Sequence, residues 1–131
     1  MNLQPDSGCG ILITEDHQPT ANLLRSLLAA AFPDQHVSTA FSAEEALESC
    51  RTTLPRVVIM DISLPGMNGI DATRHIKTST PSVNVVIHSN LDADIYSDAC
   101  MAAGASAYVL KARPQSRLIP VVAQLLSTTS A

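Results

Sequence analysis

The sequence predicts an α/β domain in which a five-stranded parallel sheet is flanked by five helices. Short apolar runs alternate with longer segments of helical periodicity, which is typical of βαβ units. The chain has 131 residues, of which 46% are hydrophobic and 15% charged, so it can form one modest core. We expect a domain over residues 10–127, an N-terminal extension over 1–9 and a tail over 128–131. The predicted strands cover residues 10–14, 35–40, 56–60, 84–88 and 107–110.

The first two predicted helices have recognisable ends and apolar faces. Pro19 suits the first turn of helix one. Ser42, followed three residues later by Glu45, forms a capping box at the start of helix two. The predicted apolar stripe of helix one is Leu24, Leu27, Leu28 and Ala31, and that of helix two is Ala46, Leu47 and Cys50.

The remaining three helices are predicted over 68–78, over 93–103 and after Pro114. Pro120 should kink the fifth helix or delay its start, and Gly104 should end the fourth. In helix three, Arg74 and Lys77 are expected to face outward. The residues expected to face inward are Ile70, Thr73 and Ile76 in helix three, Ile95, Ala99, Ala102 and Ala103 in helix four, and Leu118, Val121, Val122 and Leu125 in helix five.

The composition argues against several classes of function. The net charge is −4 with only two lysines, so no basic face is expected to bind nucleic acid directly. No apolar stretch approaches the roughly 20 residues of a membrane span, and the N-terminus does not resemble a signal peptide. Cys9, Cys50 and Cys100 are odd in number and far apart, which favours reduced thiols. We therefore expect a cytoplasmic protein that does not associate with membranes.

Polar residues follow four of the five predicted strands at the point where each strand ends. Glu15 and Asp16 follow the first strand, Asp61 the third, Ser89 the fourth and Lys111 the fifth. Ligands of parallel α/β sheets bind beyond the carboxyl ends of the strands. If strands one and three are neighbours, the three carboxylates converge in one site.

A site with three carboxylates and one lysine needs a further cation. Two like charges about 4 Å apart repel by roughly 4 kcal/mol at an effective dielectric constant of 20. Oxygen ligands without cysteine or histidine at metal-binding spacing favour Mg²⁺, with Mn²⁺ as a second option, over zinc. An aspartate beside such an ion and a lysine suits phosphoryl transfer to form an aspartyl phosphate. Asp61 is the candidate nucleophile.

The chain closely resembles the receiver domain of two-component response regulators from residue 11 to about residue 126. The matching motifs occur in order: the acidic pair in ILITEDH, the block VVIMDISLPGMNGIDATRHIK, the hydroxyl residue in VVIHSN, and AGASAYVLK with its aromatic residue and lysine. This resemblance implies a flavodoxin-like fold with strand order 2-1-3-4-5. It also implies a signalling switch rather than a turnover enzyme.

The resemblance implies roles for individual residues. Asp61 would receive a phosphoryl group from a sensor histidine kinase or a phosphotransfer protein. Asp16, Asp61 and the backbone carbonyl of Ser63 would bind the metal ion, with Glu15 assisting mainly through water. Lys111 would pair with the phosphoryl oxygens.

The resemblance also implies how the signal leaves the site. Ser89 and Tyr108 would relay phosphorylation to the surface of helix four, strand five and helix five, which could also form a homodimer. The motifs are most similar to receivers of regulators with a LuxR-type output domain, which these residues do not include. On the residues alone, Ser89 could instead bond to the backbone, and Tyr108 could be an ordinary core aromatic.

Three residues depart from the family pattern. His88 replaces an apolar residue, Asn90 replaces a small one, and Ala112 replaces a frequent proline. Asn90 motivates one alternative, a degenerate receiver that binds proteins without phosphorylation, whereas the intact acidic site argues against it. A phosphatase is disfavoured because Ser63 stands where its general acid would be, and a flavin-binding module because TEDHQP would repel a phosphate.

Overall fold

Five parallel strands form one sheet in the computed structural model, which describes residues 10–112 and 114–129. The strands are β1 (Gly10–Thr14), β2 (His36–Ala40), β3 (Val57–Met60), β4 (Asn84–Ser89) and β5 (Ala107–Leu110). Their order is β2-β1-β3-β4-β5, which confirms the predicted flavodoxin-like topology. β2 and β3 each begin one residue later than predicted, and β4 extends by one residue to include Ser89.

Helices cover both faces of the sheet, as predicted. They are α1 (Gln18–Ala31), α2 (Ala43–Thr53), α3 (Gly69–Ser79), α4 (Ala93–Ala103) and α5 (Ile119–Thr129). Buried residues of α1 and α5 pack with one face of the sheet, and those of α2, α3 and α4 pack with the other. A π-helical turn, Pro114–Leu118, precedes α5, so Pro120 falls in the first turn of that helix. α5 continues to Thr129, which includes two residues of the expected tail.

Side-chain caps fix the start of three helices. The Ser42 hydroxyl accepts a hydrogen bond from the Glu45 N–H at 3.1 Å, and the Glu45 carboxylate accepts one from the Phe41 N–H at 2.9 Å. The predicted cap of α2 is therefore confirmed. Asn68 caps α3 and Asp92 caps α4 in the same way.

The buried face of α4 differs from the predicted one. Ile95 is 68% exposed, and Ala99 and Ala102 are also exposed. The buried residues of this helix are Cys100 and Ala103, so only Ala103 of the predicted set is correct. In a helix this rich in alanine, apolar spacing does not select one face, because several faces have nearly equal hydrophobicity. The helix consequently buries few side chains.

The other helix faces are closer to the predictions. Leu24 and Leu28 of α1 are buried, whereas Leu27 is half-buried and Ala31 is exposed. Ala31 is the last residue of α1. The buried residues predicted correctly elsewhere are Ala46, Cys50, Thr73, Ile76, Leu118 and Val122, while Leu47, Ile70, Val121 and Leu125 are half-buried.

Lys77 does not face outward as predicted. Its ammonium group donates hydrogen bonds to the carbonyl oxygens of Pro81 at 2.8 Å and Val83 at 2.7 Å. Its stem packs against Gly104, where a Cβ atom would approach Lys77 Cγ to 2.7 Å. Gly104 ends α4 at φ 111°, as its predicted role requires. Burial lowers the pKa of Lys77.

Two of the cysteines fall in the described part of the chain, and both are buried free thiols. Burial raises the pKa of Cys50 to about 11 and also raises that of Cys100. These shifts favour the unreactive protonated form. Cys9 lies outside the described residues. Within those residues, the structure has no helix whose length and apolar character would let it cross a membrane.

Gly69 allows the segment after β3 to turn back into α3. Its N–H donates to the Ile62 carbonyl at 2.9 Å, and a Cβ atom at this position would overlap the carbonyl oxygen of Asp61. We expect Gly69→Ala to lower the free energy of unfolding by about 2 to 3 kcal/mol, because the backbone must shift to remove the overlap. Urea unfolding measures the change in the free energy of unfolding. Ser79→Ala, at an exposed position of the same helix, should change that free energy by less than about 0.5 kcal/mol. Equal changes in the two variants would contradict the prediction.

Candidate functional site

Three carboxylates meet at the carboxyl ends of β1 and β3. The two strands pair with Thr14 opposite Met60, so the next residues, Glu15 and Asp61, are also adjacent. The backbone ladder continues past the strands, since the Asp61 N–H donates to the Thr14 carbonyl at 3.2 Å. One oxygen from each of Glu15, Asp16 and Asp61 lies within 4.8 Å of the others. The convergence predicted from the sequence is therefore present.

The carboxylates differ in their exposure to solvent. Glu15 is 2% exposed and Asp61 is 6% exposed, whereas Asp16 is exposed at the rim. Burial raises the pKa of Asp61, the Glu15 charge adds to this, and Lys111 and a backbone hydrogen bond from Ser63 oppose it without cancelling it. Among the residues that the structure describes, the negative charge at Asp61 is thus incompletely compensated.

Lys111 joins the two buried carboxylates. Its Nζ atom donates to Glu15 Oε1 at 2.7 Å and to Asp61 Oδ2 at 3.0 Å. Burial alone would lower the pKa of Lys111, but the hydrogen bonds and charges of Glu15 and Asp61 outweigh it and raise the pKa. The ammonium group is therefore charged at neutral pH, and its position beside Asp61 agrees with the predicted site.

This donor set fits a hard divalent cation. Glu15, Asp16 and Asp61 offer oxygen ligands, and among the described residues one ammonium group, that of Lys111, contacts two of them and balances only part of their charge. Mg²⁺ prefers such oxygen ligands and retains water at its remaining coordination positions. Asp16 is exposed, so water can reach this side of the site. Ser63 is exposed in the segment that follows Asp61.

Ser89 and Tyr108 are connected to each other through the segment that follows β4. The Ser89 hydroxyl accepts a hydrogen bond from the Leu91 N–H at 3.0 Å, and the Tyr108 hydroxyl donates to the Leu91 carbonyl at 2.8 Å. Burial raises the pKa of Tyr108. Both side chains therefore contact the same residue, Leu91. Asn90, between Ser89 and Leu91, is exposed.

His88 is a further buried polar residue near the site, and the sequence analysis gave it no functional role. It is 2% exposed, and burial, followed by the charge of Lys111, lowers its pKa to about 4. The imidazole is therefore neutral at pH 7. In the sequence, His88 is notable only because it replaces a residue that is usually apolar in the family. That substitution does not reveal that the imidazole is buried near Lys111.

A comparison with protein-family models matches residues 11–123 to the response regulator receiver domain. The chain belongs to the response regulator receiver domain family. Receiver domains of this family are signalling modules of two-component systems, and the strand-end residues described above coincide with the motifs that carry the resemblance.

The chain is similar to parts of several longer proteins. The chain is 29% identical over 117 residues to the response regulator GacA of Pseudomonas aeruginosa, covering 89% of this chain and 55% of that protein. It is 38% identical over 105 residues to a protein-glutamate methylesterase/protein-glutamine glutaminase of Geobacter metallireducens, covering 80% of this chain and 30% of that protein. The chain thus spans about half or less of the length of these relatives.

A solved structure shows the same fold. The crystal structure of a LuxR-family two-component response regulator from Aurantimonas sp. SI85-9A1 superposes with a TM-score of 0.81 and 29% sequence identity, covering 90% of this receiver domain and 84% of that chain. The similarity extends over nearly the whole described domain.

Proposed function

We propose that this receiver domain is a phosphorylation-driven switch in which Asp61 accepts a phosphoryl group from a histidine kinase or a phosphotransfer protein. One observation carries the proposal: the nearly buried Asp61 carboxylate lies beside the Lys111 ammonium group and within reach of two further carboxylates. Phosphoryl transfer depends mainly on positioning and on compensating negative charge. The site has groups for both tasks.

Asp61 is the best candidate acceptor among the three carboxylates. Both oxygens of Glu15 accept hydrogen bonds, Oε1 from Lys111 and Oε2 from the His17 N–H at 3.1 Å. Asp61 also accepts hydrogen bonds, from Lys111 and from the Ser63 N–H, and both residues directly follow a buried strand. Asp61 is distinguished because it matches the acceptor position of the receiver motif VVIMDISLPGMNGIDATRHIK, and its fixed carboxylate can direct one oxygen at phosphorus.

The metal and charge roles follow from the same arrangement. Asp16, Asp61 and the Ser63 carbonyl would hold Mg²⁺, or Mn²⁺ in its place, with Glu15 assisting through water. When bound, the ion would compensate the charge of the transferred phosphoryl group. Lys111 would exchange its hydrogen bond with Asp61 for one with a phosphoryl oxygen.

The relay through Ser89 and Tyr108 is supported by their shared contact with Leu91. A phosphoryl group adds about −1.5 to −2 charge and three acceptor oxygens, so it would accept a hydrogen bond from the Ser89 hydroxyl and draw that side chain towards Asp61. The Leu91 N–H would then lose its acceptor, and the segment between β4 and α4 would move. Tyr108, which donates to the carbonyl of the same residue, would turn inward.

The surface expected to change includes α4, β5 and α5. A cleft of about 280 Å³ on this surface is lined by Tyr108, Leu110, Ala93, Ala112 and Arg117. Because α4 buries few side chains, its displacement costs little free energy.

We infer that a partner protein or a second copy of the chain binds to the surface of α4, β5 and α5, and that the output is regulation of transcription through a domain outside these residues. The absence of turnover activity, the cytoplasmic location and the absence of direct nucleic-acid binding are parts of the same proposal.

Phosphorylation of Asp61 is testable by intact-mass measurement. With Mg²⁺ and acetyl phosphate, the wild-type protein should gain one labile phosphoryl group, and Asp61→Asn should gain none. Asp71→Asn is the matched control, because Asp71 is an exposed carboxylate paired with Arg74 and should not affect the adduct. EDTA should prevent formation of the adduct.

Other outcomes of this experiment would contradict the proposal. An adduct that persists in Asp61→Asn would show a different acceptor. A folded wild-type protein without an adduct under any donor would favour the degenerate receiver. Continuous turnover of acetyl phosphate that persists in Asp61→Asn would favour a hydrolytic enzyme.

A further inference from the structure

His88 is a buried polar side chain without a hydrogen-bond partner at its Nε2 atom among the residues that the structure describes. It is 2% exposed. A buried polar atom without a partner is costly, and such atoms in folded proteins require an explanation. His88 lies near the end of β4, next to the proposed phosphorylation site. The burial of its unpartnered Nε2 atom at this position therefore requires an explanation.

The register of the sheet places His88 on β4, the strand between Asp61 and the end of β5 that Lys111 follows. β4 lies between β3 and β5, with Ile87 opposite Met60 and Val109 opposite His88. Side chains alternate between the faces of a strand, so His88 shares the face of Val86, which packs with α1 and α5. His88 is therefore the β4 residue level with Asp61.

The Lys111 side chain must cross β4 to reach its partners. It starts beyond the end of β5, and its ammonium group contacts Asp61 after β3 and Glu15 after β1. Neighbouring strands are about 4.8 Å apart, so the stem passes over the end of β4, whose last two residues are His88 and Ser89. The charge of Lys111 contributes to the lowered pKa of His88, which agrees with this proximity.

The Lys111 ammonium group has one unused donor among the described contacts. An ammonium group has three N–H donors, and two of those of Lys111 are directed at Glu15 and Asp61. A neutral imidazole has one nitrogen that accepts a hydrogen bond. Lys111 and His88 are thus complementary in hydrogen-bonding capacity.

We propose that His88 is a positioning residue that gives the Lys111 ammonium group a third hydrogen-bond acceptor when a divalent ion engages the carboxylates. This inference rests on the proposed function. An ion held by Asp61 with the assistance of Glu15 would compete with Lys111 for the carboxylate oxygens and so weaken the hydrogen bonds that hold the ammonium group. His88 then keeps the ammonium group over the end of β4, within reach of a phosphoryl group on Asp61.

The experiment observes the Lys111 ammonium group directly by NMR in ¹⁵N-labelled protein with saturating Mg²⁺ and no phosphodonor. In wild type and His88→Gln, which retains a side-chain acceptor, we expect slow exchange of the ammonium protons with water. In His88→Leu we expect exchange about fivefold faster, consistent with the loss of one neutral hydrogen bond. Without Mg²⁺, the melting temperature of His88→Leu should be at least that of wild type, because a buried polar atom that lacks a partner in that state is removed.

The phosphorylation rate provides a second measurement. His88→Leu should react with acetyl phosphate about fivefold more slowly at saturating donor, with the half-saturating donor concentration unchanged, and His88→Gln should react within about twofold of wild type. Unchanged ammonium exchange in a folded His88→Leu, or equal exchange in the Leu and Gln variants, would overturn the proposal. Since exchange is measured without donor, that result is distinct from a failure of Asp61 to be phosphorylated.

Discussion

Replacing Lys111 with methionine is expected to lower the free energy of unfolding by about 2 to 4 kcal/mol in metal-free buffer at pH 7. The variant leaves Glu15 and Asp61, which are nearly buried, without the ammonium group that both contact. Removing one partner of a buried ion pair leaves an uncompensated charge, which costs several kcal/mol. Urea unfolding with EDTA measures the loss.

Mg²⁺ should recover part of the stability lost in Lys111→Met, because a divalent ion supplies the missing positive charge. Arg74→Met is the matched control, since it removes a basic residue whose ion pair with Asp71 is solvent-exposed. Exposed pairs contribute at most about 1 kcal/mol. A loss in Lys111→Met no larger than in Arg74→Met would show that the buried carboxylates do not depend on Lys111.

Acidification is expected to destabilise the domain through His88. Its pKa is lowered from 6.5 in the unfolded chain to about 4 in the folded one, with burial as the first cause. Between these pH values the unfolded state binds a proton that the folded state does not, so the stability contributed by neutral His88 is complete above pH 6.5 and is lost as the pH falls towards 4. The shift corresponds to about 3 kcal/mol.

The contribution of His88 is isolated by comparing variants in urea unfolding from pH 7 to pH 4. His88→Leu should lose about 3 kcal/mol less stability than wild type over this range. His75→Leu should behave like wild type, because His75 is exposed in α3. Parallel pH profiles for wild type and His88→Leu would contradict the assigned environment of His88. The raised pKa of Asp61 acts in the opposite direction, but it is common to all three proteins.

The sheet and the convergence of charged side chains could be predicted because strong local signals specified them. β3 is a run of four buried apolar residues, and Asp61 follows it at the edge where parallel strands place their ligands. The same rule placed Glu15 and Lys111 at this edge. The order of the strands required the family resemblance, because apolar runs do not specify which strands are neighbours.

Environments that depend on tertiary packing could not be predicted from the sequence. The apolar character of Ile95 predicts a core position, but the orientation of the alanine-rich α4 exposes it. The charge of Lys77 predicts a solvent-facing position, but the segment before β4 offers two carbonyl acceptors to its ammonium group. His88 is buried opposite Val109 through pairing of β4 with β5, which no spacing in the sequence reveals.

Phosphorylation of Asp61 is tested most directly by chemical identification of the modified residue. Borohydride reduces an aspartyl phosphate to homoserine, so the wild-type protein would be treated with Mg²⁺ and acetyl phosphate, reduced, digested and analysed by peptide mass spectrometry. Homoserine is expected at position 61 only, and none when Mg²⁺ is removed before the donor is added. Reduction products at Asp16 or Glu15 with Asp61 unmodified, or unaltered peptides from a protein that carries the phosphoryl adduct, would contradict this assignment.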